Sequence, residues 1–375
     1  MSKIRVLHCI ETIASGGVEQ VRLTLIRGLD KTKFEHKFIC TWKGGSIAEA
    51  LEKEAVLLIP IGSFAHPFEW KKHRQVLKVI REFKPHIIHG AIFEGMSMAA
   101  IYGTLGKVPV RILEETSEPV SRSKKILILQ KLFLSVSDQI IGISPSVVDF
   151  LLKKVKLPKG KVRLINNGIE ISNPKGLVTT EQLKKTLGIE EDDFIIGSVG
   201  RVYDQVKRFS DILLATKEFK FKKVKFLLVG DGPDLNYIKE LAIIEGLNNQ
   251  FISVGYQSNP HPYFDVMDAF CIVSAHEGFG LVVAEAMMHS LPVIASKVGG
   301  LKDVILDEET GFLVPPFSPQ DIAHKIQILI NEPELRVKMG DKGNKRVLKK
   351  YSADRYVKKV ESLYFELLKV KGVKF

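Results

Sequence analysis

Two glutamates and a run of glycines in the last third of the chain have the residue types and spacing for ligand chemistry: Glu277-Gly278-Phe279-Gly280-Leu281, followed by Glu285. The apolar run Ala269 to Val273 reads as a buried strand and a helical pattern opens after Gly280, so Glu277 and the glycines occupy a strand-to-helix turn. Glycines let a ligand come close to the backbone, and the free N–H groups of a helix's first turn attract an anion. A carboxylate repels a phosphate but accepts hydrogen bonds from hydroxyls. A ligand with phosphate between two polyhydroxylated ends satisfies both demands, and a nucleotide sugar has that form.

Cations for such a ligand stand in Gly200-Arg201-Val202-Tyr203-Asp204-Gln205-Val206-Lys207-Arg208, directly after an apolar strand. In a doubly wound sheet ligands bind beyond the carboxyl ends of strands, where this loop emerges. Arg201 can grip a diphosphate with its planar fork, and Lys207 can add a point charge. Alone, a basic loop after a strand is more often a solvated turn; beside a glycine turn it becomes specific. A second glycine loop, Gly16-Gly17, joins the first strand to the first helix and can approach a phosphate or sugar. It is neither a dinucleotide fingerprint nor a P-loop. Gly230-Asp231-Gly232-Pro233 is a weaker signal of the same kind. No Asp-x-Asp pair is present to carry a divalent metal with a diphosphate, so no metal is expected, and a leaving diphosphate falls to Arg201, Lys207 and backbone N–H groups. No nucleophile elbow and no zinc spacing competes.

The elements that must hold these residues alternate from end to end, short β-branched runs with amphipathic helical segments, which predicts parallel sheets covered by helices. At 375 residues the chain is long for one core. The pattern breaks at Ser172-Asn173-Pro174-Lys175-Gly176 and restarts at Phe194. The expectation is an α/β protein of two doubly wound Rossmann-like domains, 1–171 and 172–351, with a final helix at about 352–375 packing back on the first. Cys9, Cys40 and Cys271 are scattered in apolar runs and read as buried thiols. No stretch reaches the ~18 to 20 apolar residues of a membrane span and no signal peptide opens the chain, which predicts a cytoplasmic protein. The net charge of +12 is confined to the first half, with 28 Lys and Arg against 16 Asp and Glu in residues 1–175 and 27 against 27 thereafter. That asymmetry suits an anionic partner as well as a solvated basic surface. No nucleic-acid motif accompanies it, so no nucleic acid is expected.

Taken together, Gly16-Gly17, Asn167-Gly168-Ile169, Gly200-Arg201 with Lys207, Gly230-Asp231-Gly232-Pro233, Glu277 with Glu285, and Leu291 to Ser296 leading to Gly299-Gly300 resemble the retaining nucleotide-sugar glycosyltransferases of family 4, the glycosyl transferases group 1. The resemblance covers nearly the whole chain and rests on the order and spacing of its pieces. It implies a GT-B fold, with two domains facing a central cleft, and transfer from a UDP- or GDP-linked sugar to a glycan or polyprenyl-phosphate-linked acceptor, without cofactor or metal. By it Glu277 faces the donor sugar and Glu285 the ribose. Arg201 and Lys207 hold the diphosphate, assisted by N–H groups of Gly278, Phe279, Gly280 and Leu281 and of Gly16 and Gly17.

One departure stands out. Many relatives carry a histidine after the strand corresponding to Val110–Leu113, where this chain reads Glu114-Glu115-Thr116-Ser117-Glu118-Pro119, so Glu115 or Thr116 takes that place and contacts acceptor or donor sugar. The basic, apolar stretch Ser121 to Leu134 that follows suits an internal helix with a charged edge. It also suits peripheral contact with an anionic membrane at the inner face of the cytoplasmic membrane. The competing readings are a nucleotide-sugar epimerase of the same fold, which needs no acceptor, and a non-catalytic sugar-nucleotide-binding protein.

Overall fold

A computed structural model describes residues 3–374 apart from 15, 64–68, 119–123, 171–178 and 220–222. The turn-rich stretch Ser172 to Gly176 and Ser121-Arg122-Ser123, at the head of the basic stretch, lie outside the described residues. The chain forms two compact units, Met1–Glu170 with Ser352–Phe375, and Ile171–Tyr351.

In the first unit the strands are β1 (Ile4–Cys9), β2 (Thr12–Ile13), β3 (Phe34–Cys40), β4 (Trp42–Lys43), β5 (Leu57–Pro60), β6 (Ile87–Ala91), β7 (Val110–Glu115), β8 (Gln139–Gly142) and β9 (Val162–Leu164). Seven of them make one sheet in the order β5-β3-β1-β6-β7-β8-β9, and β2 pairs with β4 separately. Its pairs are all parallel, which requires helical crossovers. In the second unit β10 (Phe194–Val199), β11 (Val224–Val229), β12 (Phe251–Ser253), β13 (Ala269–Ile272), β14 (Val293–Ser296) and β15 (Gly311–Val314) run in the order β12-β11-β10-β13-β14-β15, again parallel. The order reverses beside β1 in one sheet and beside β10 in the other, which makes both units doubly wound and marks β1 and β10 as switch points. The Gly200-Arg201 loop leaves β10, and the Gly16-Gly17 loop follows β2, the short strand that comes just after β1. The expected fold class is therefore present in both halves, and Cys9, Cys40 and Cys271 are buried free thiols.

The C-terminal helical tail is broken in two, Pro333–Lys350 in the second unit and Ala353–Val370 in the first. The last helix buries Tyr356, Val360, Leu363, Tyr364 and Leu368, and Gly28 of the first helix leaves room for Val357. A buried polar group underlies it. Arg22 lies 3.2 Å from Glu114, the pair 1% and 2% exposed, and His89 stands 3.5 Å from the same carboxylate. His89 Nδ1 meets the Tyr364 hydroxyl at 2.8 Å, which links β6 to the last helix. Burial opposes charge on Glu114, but the Arg22 guanidinium and His89 hold its carboxyl down to about 2. Burial and the Arg22 charge push His89 down to about 4. His89 is thus neutral within this buried group.

A candidate nucleotide-sugar site

In the second unit β13 ends at Ile272, and Val273, Ser274 and Ala275 stay buried as the chain climbs to the turn. Ser296 donates to the Ser274 carbonyl at 2.6 Å, which anchors the climb to β14. The turn itself is built from glycine contacts. Gly280 precedes the helix Leu281–Met288 with φ +87°, a left-handed conformation that costs glycine least. After β14, Gly299 and Gly300 press their backbones against the Glu277 and Gly278 carbonyls, where any Cβ would collide, and Gly300 N–H donates to the Glu277 carbonyl at 2.9 Å. The turn is thereby held from below by a second loop. The N–H groups of Gly278, Phe279, Gly280 and Leu281 make no hydrogen bond to the described residues. Phe279 gives only its backbone to this face, because its ring is buried edge-on against Tyr351, 5.3 Å between centroids.

The basic loop is tied to the same turn. Ala275 N–H donates to the Val206 carbonyl at 2.7 Å, and Lys207 Nζ donates to Glu277 Oε2 at 2.6 Å. Both side chains are partly buried, 26% and 17% exposed, so the pair is neither screened as on an open surface nor sealed. Lys207 sits on a single helical turn, Asp204–Lys207, rather than on an open loop. Asp204 pins that turn by accepting from Ser210 N and Oγ at 2.9 and 2.6 Å. Arg201 is exposed and has no ion-pair partner among the described residues. Gly230 and Gly232, weak signals in the sequence, carry the loop from behind: side chains there would strike the Gly200 and Val202 carbonyls, and Val202 N–H donates to Asp231 O at 2.9 Å. Glu285, partly buried one turn into the helix, has its carboxyl pushed up to about 7 by burial.

In the first unit the candidate residues stand at the carboxyl ends of β1 and β7. Gly16 is the N-cap of the helix Gly17–Gly28, and the Glu19 carboxylate bends back beside it, where a Cβ on Gly16 would collide with Oε2. Glu115 ends β7 almost fully buried and accepts from the Gln130 amide, while Thr116 is half-exposed. Gln130, on the helix Lys124–Ser135, carried no sequence signal because its role depends on a tertiary contact. Lys207, Glu277 and the glycine turn are brought together in one unit; Gly16, Gly17, Glu115 and Thr116 belong to the other. Among the described residues no group of His, Cys, Asp and Glu is arranged to hold a metal ion.

Comparison with known proteins bears on the same residues. Residues 179–346 match the family described as glycosyl transferases group 1, and residues 15–173 match Glycosyltransferase Family 4. The chain is 28% identical to the capsular polysaccharide biosynthesis glycosyltransferase CapM of Staphylococcus aureus, over 79% of this chain and 81% of that protein. It is also 28% identical to N-acetyl-alpha-D-glucosaminyl L-malate synthase of Bacillus anthracis, over 62% of this chain and 61% of that one. Among solved structures, a glycosyltransferase from Rickettsia africae superposes with a TM-score of 0.84 at 21% identity, over 98% of this chain and 100% of that one. Anabaena HepE in complex with UDP gives 0.83 at 17%, over 97% and 100%, a likeness of fold.

Proposed function

We propose that the chain, which matches the glycosyl transferases group 1 over 179–346 and Glycosyltransferase Family 4 over 15–173, is a GT-B glycosyltransferase that moves a hexosyl group from a UDP- or GDP-sugar to a glycan or polyprenyl-phosphate-linked acceptor, with retention of anomeric configuration. The observation that carries the reading is the Lys207–Glu277 ion pair set against a glycine turn with open N–H groups. An anion arriving at those N–H groups meets Lys207, and the carboxylate it leaves is free to accept from sugar hydroxyls. In the reaction the acceptor oxygen bonds to the anomeric carbon as the bond from that carbon to the phosphate oxygen breaks. The departing phosphate oxygen takes the acceptor's proton. Arg201, Lys207 and the N–H groups of Gly278 to Leu281 stabilise the charge that develops on the diphosphate, so the reaction needs no metal. Glu285 accepts from ribose hydroxyls, and Glu115 or Thr116 contacts acceptor or donor sugar.

The complexes of HepE with UDP and UDP-glucose support a nucleotide-sugar donor, and the capsular enzyme supports a role in cell-surface polysaccharide or glycoconjugate synthesis. A lipid-linked acceptor would be met at the inner face of the cytoplasmic membrane. Among the described residues no helix is long and apolar enough to cross a membrane, so the contact would be peripheral. The test is release of nucleoside diphosphate from a panel of nucleotide sugars, with and without glycan acceptors, in the presence of a chelator. Release that requires acceptor and survives chelation supports the proposal. Conversion of donor alone to its epimer would instead mark an epimerase, and donor binding without turnover a non-catalytic binder.

A further inference from the structure

The helix Lys124–Ser135 of the first unit is apolar on the wrong side as well as the right one. Its inner face packs normally: Gln130 and Leu134 are buried and Phe133 meets Phe93 of the preceding helix at 6.2 Å between ring centroids. Its outer face carries Ile128, Leu129 and Leu132, exposed by 63%, 43% and 60%, with Val136 just beyond the helix at 39%. On a helical wheel these fall within one continuous arc opposite Gln130 and Leu134. A helix apolar all round is ordinarily buried on both sides, so this one has a face without a partner among the described residues.

The charges around it select the occupant. Residues 124–137 contain Lys124, Lys125 and Lys131 and no Asp or Glu. Lys131 is exposed beside the apolar arc, and Lys161 reaches over to donate to the Ser135 carbonyl at the helix end. A second copy of the chain docked across a two-fold axis would bring Lys131 toward its own image with no carboxylate in the segment to meet it. An anionic lipid surface offers both the hydrocarbon and the counter-charge, and a helix of about 18 Å can lie in the headgroup boundary with its apolar arc downward.

We propose that the outer face of the helix Lys124–Ser135, through Ile128, Leu129, Leu132 and Val136 with Lys131 at its rim, is the surface by which the protein docks on anionic lipid. This deepens the membrane part of the function proposed above, but vesicle binding is measured without donor or acceptor, so it stands or falls separately from glycosyl transfer. The experiment is flotation of the full chain with vesicles of phosphatidylcholine alone and of phosphatidylcholine mixed with phosphatidylglycerol. The protein floats with the mixed vesicles and much less with the neutral ones, and raising salt releases it. An Ile128→Ser/Leu132→Ser double variant keeps its melting temperature, since both side chains are exposed, but its partitioning falls about tenfold or more. Lys131→Gln weakens binding several-fold while leaving that to neutral vesicles unchanged. Failure to float with anionic vesicles, or equal flotation of the double variant, would overturn the proposal. A dimer in sedimentation velocity that the double variant dissolves would also overturn it, and would assign the face to a second copy.

Discussion

Glu277 and Lys207 neutralise each other in the donor-free protein, and that pairing sets the outcome of changing either. Removing the glutamate releases the ammonium to a diphosphate, so Glu277→Ala leaves nucleoside diphosphate affinity equal to or better than wild type while turnover falls about 100-fold or more. Parallel titration and rate measurements check this; equal losses in both would argue against a role at the sugar. Glu285 gives a second, thermodynamic handle. Its carboxyl is raised from 4.5 to about 7 in the folded chain, so between those pH values the folded state binds more protons than the unfolded one and stability falls as pH rises. Glu285→Gln removes that burden: it stabilises the free protein above pH 7 by about 1 to 3 kcal/mol and has no such effect below pH 4.5, as thermal melts across the range would register. The types and order of these residues were readable from the sequence, because a glycine turn between carboxylates and a basic loop after a strand have few other uses. The mutual occupation of Lys207 and Glu277 was not, since it depends on where each side chain turns when no ligand is present.

The strand-to-helix turn works as an element only because a neighbouring one presses against it. Gly300 sits so close to the Gly278 carbonyl and the Phe279 backbone that a methyl group must push the turn aside. Gly300→Ala is expected to cost about 2 kcal/mol of stability or more and to weaken nucleotide binding with it. Calorimetry with and without UDP reads both; a stable variant with full affinity would mean the turn does not carry the diphosphate. Strands such as β1, β7, β10 and β13 were legible as short apolar runs between turn signals. Two-residue β2 and β4 escaped, being too brief to show alternation. Four-residue β15 escaped as well, because it opens on Gly311 directly after the polar turn Glu308-Glu309-Thr310 and leaves only Phe312, Leu313 and Val314 as an apolar signal.

At the scale of the whole molecule, acid weighs on the first unit in particular. That unit holds His8 and His89 buried and His36 half-buried, all in neutral form, His36 pushed down to about 3 and His89 to about 4 by burial, and His8 well below its ordinary value. Unfolded histidine titrates near 6.5, so below that pH the unfolded chain binds protons that the folded one refuses. Stability is fully present above about pH 6.5 and falls as pH drops toward 4, by about 1 kcal/mol per histidine for each unit. Melting curves from about pH 7 to 5 should show a falling midpoint, and a His8→Phe variant, whose ring can keep the stack on Phe38, a shallower one. A flat profile would mean the cluster is open to protons in the folded state. The doubly wound halves and the return of the last helix to the first unit could be anticipated from the alternation of elements and from the apolar face at Tyr356, Val360 and Tyr364. The polar group beneath that helix could not, because Arg22, His89, Glu114 and Tyr364 are far apart in sequence and each looks ordinary alone. The central claim is that a nucleoside diphosphate is held by the glycine turn and the basic loop of the second unit. Titration calorimetry of UDP and GDP into the wild-type chain and an Arg201→Ala variant tests it most directly. Saturable binding of at least one nucleotide, weakened about tenfold or more by the substitution, is the predicted result; no binding of either, or equal affinity in the variant, would contradict it.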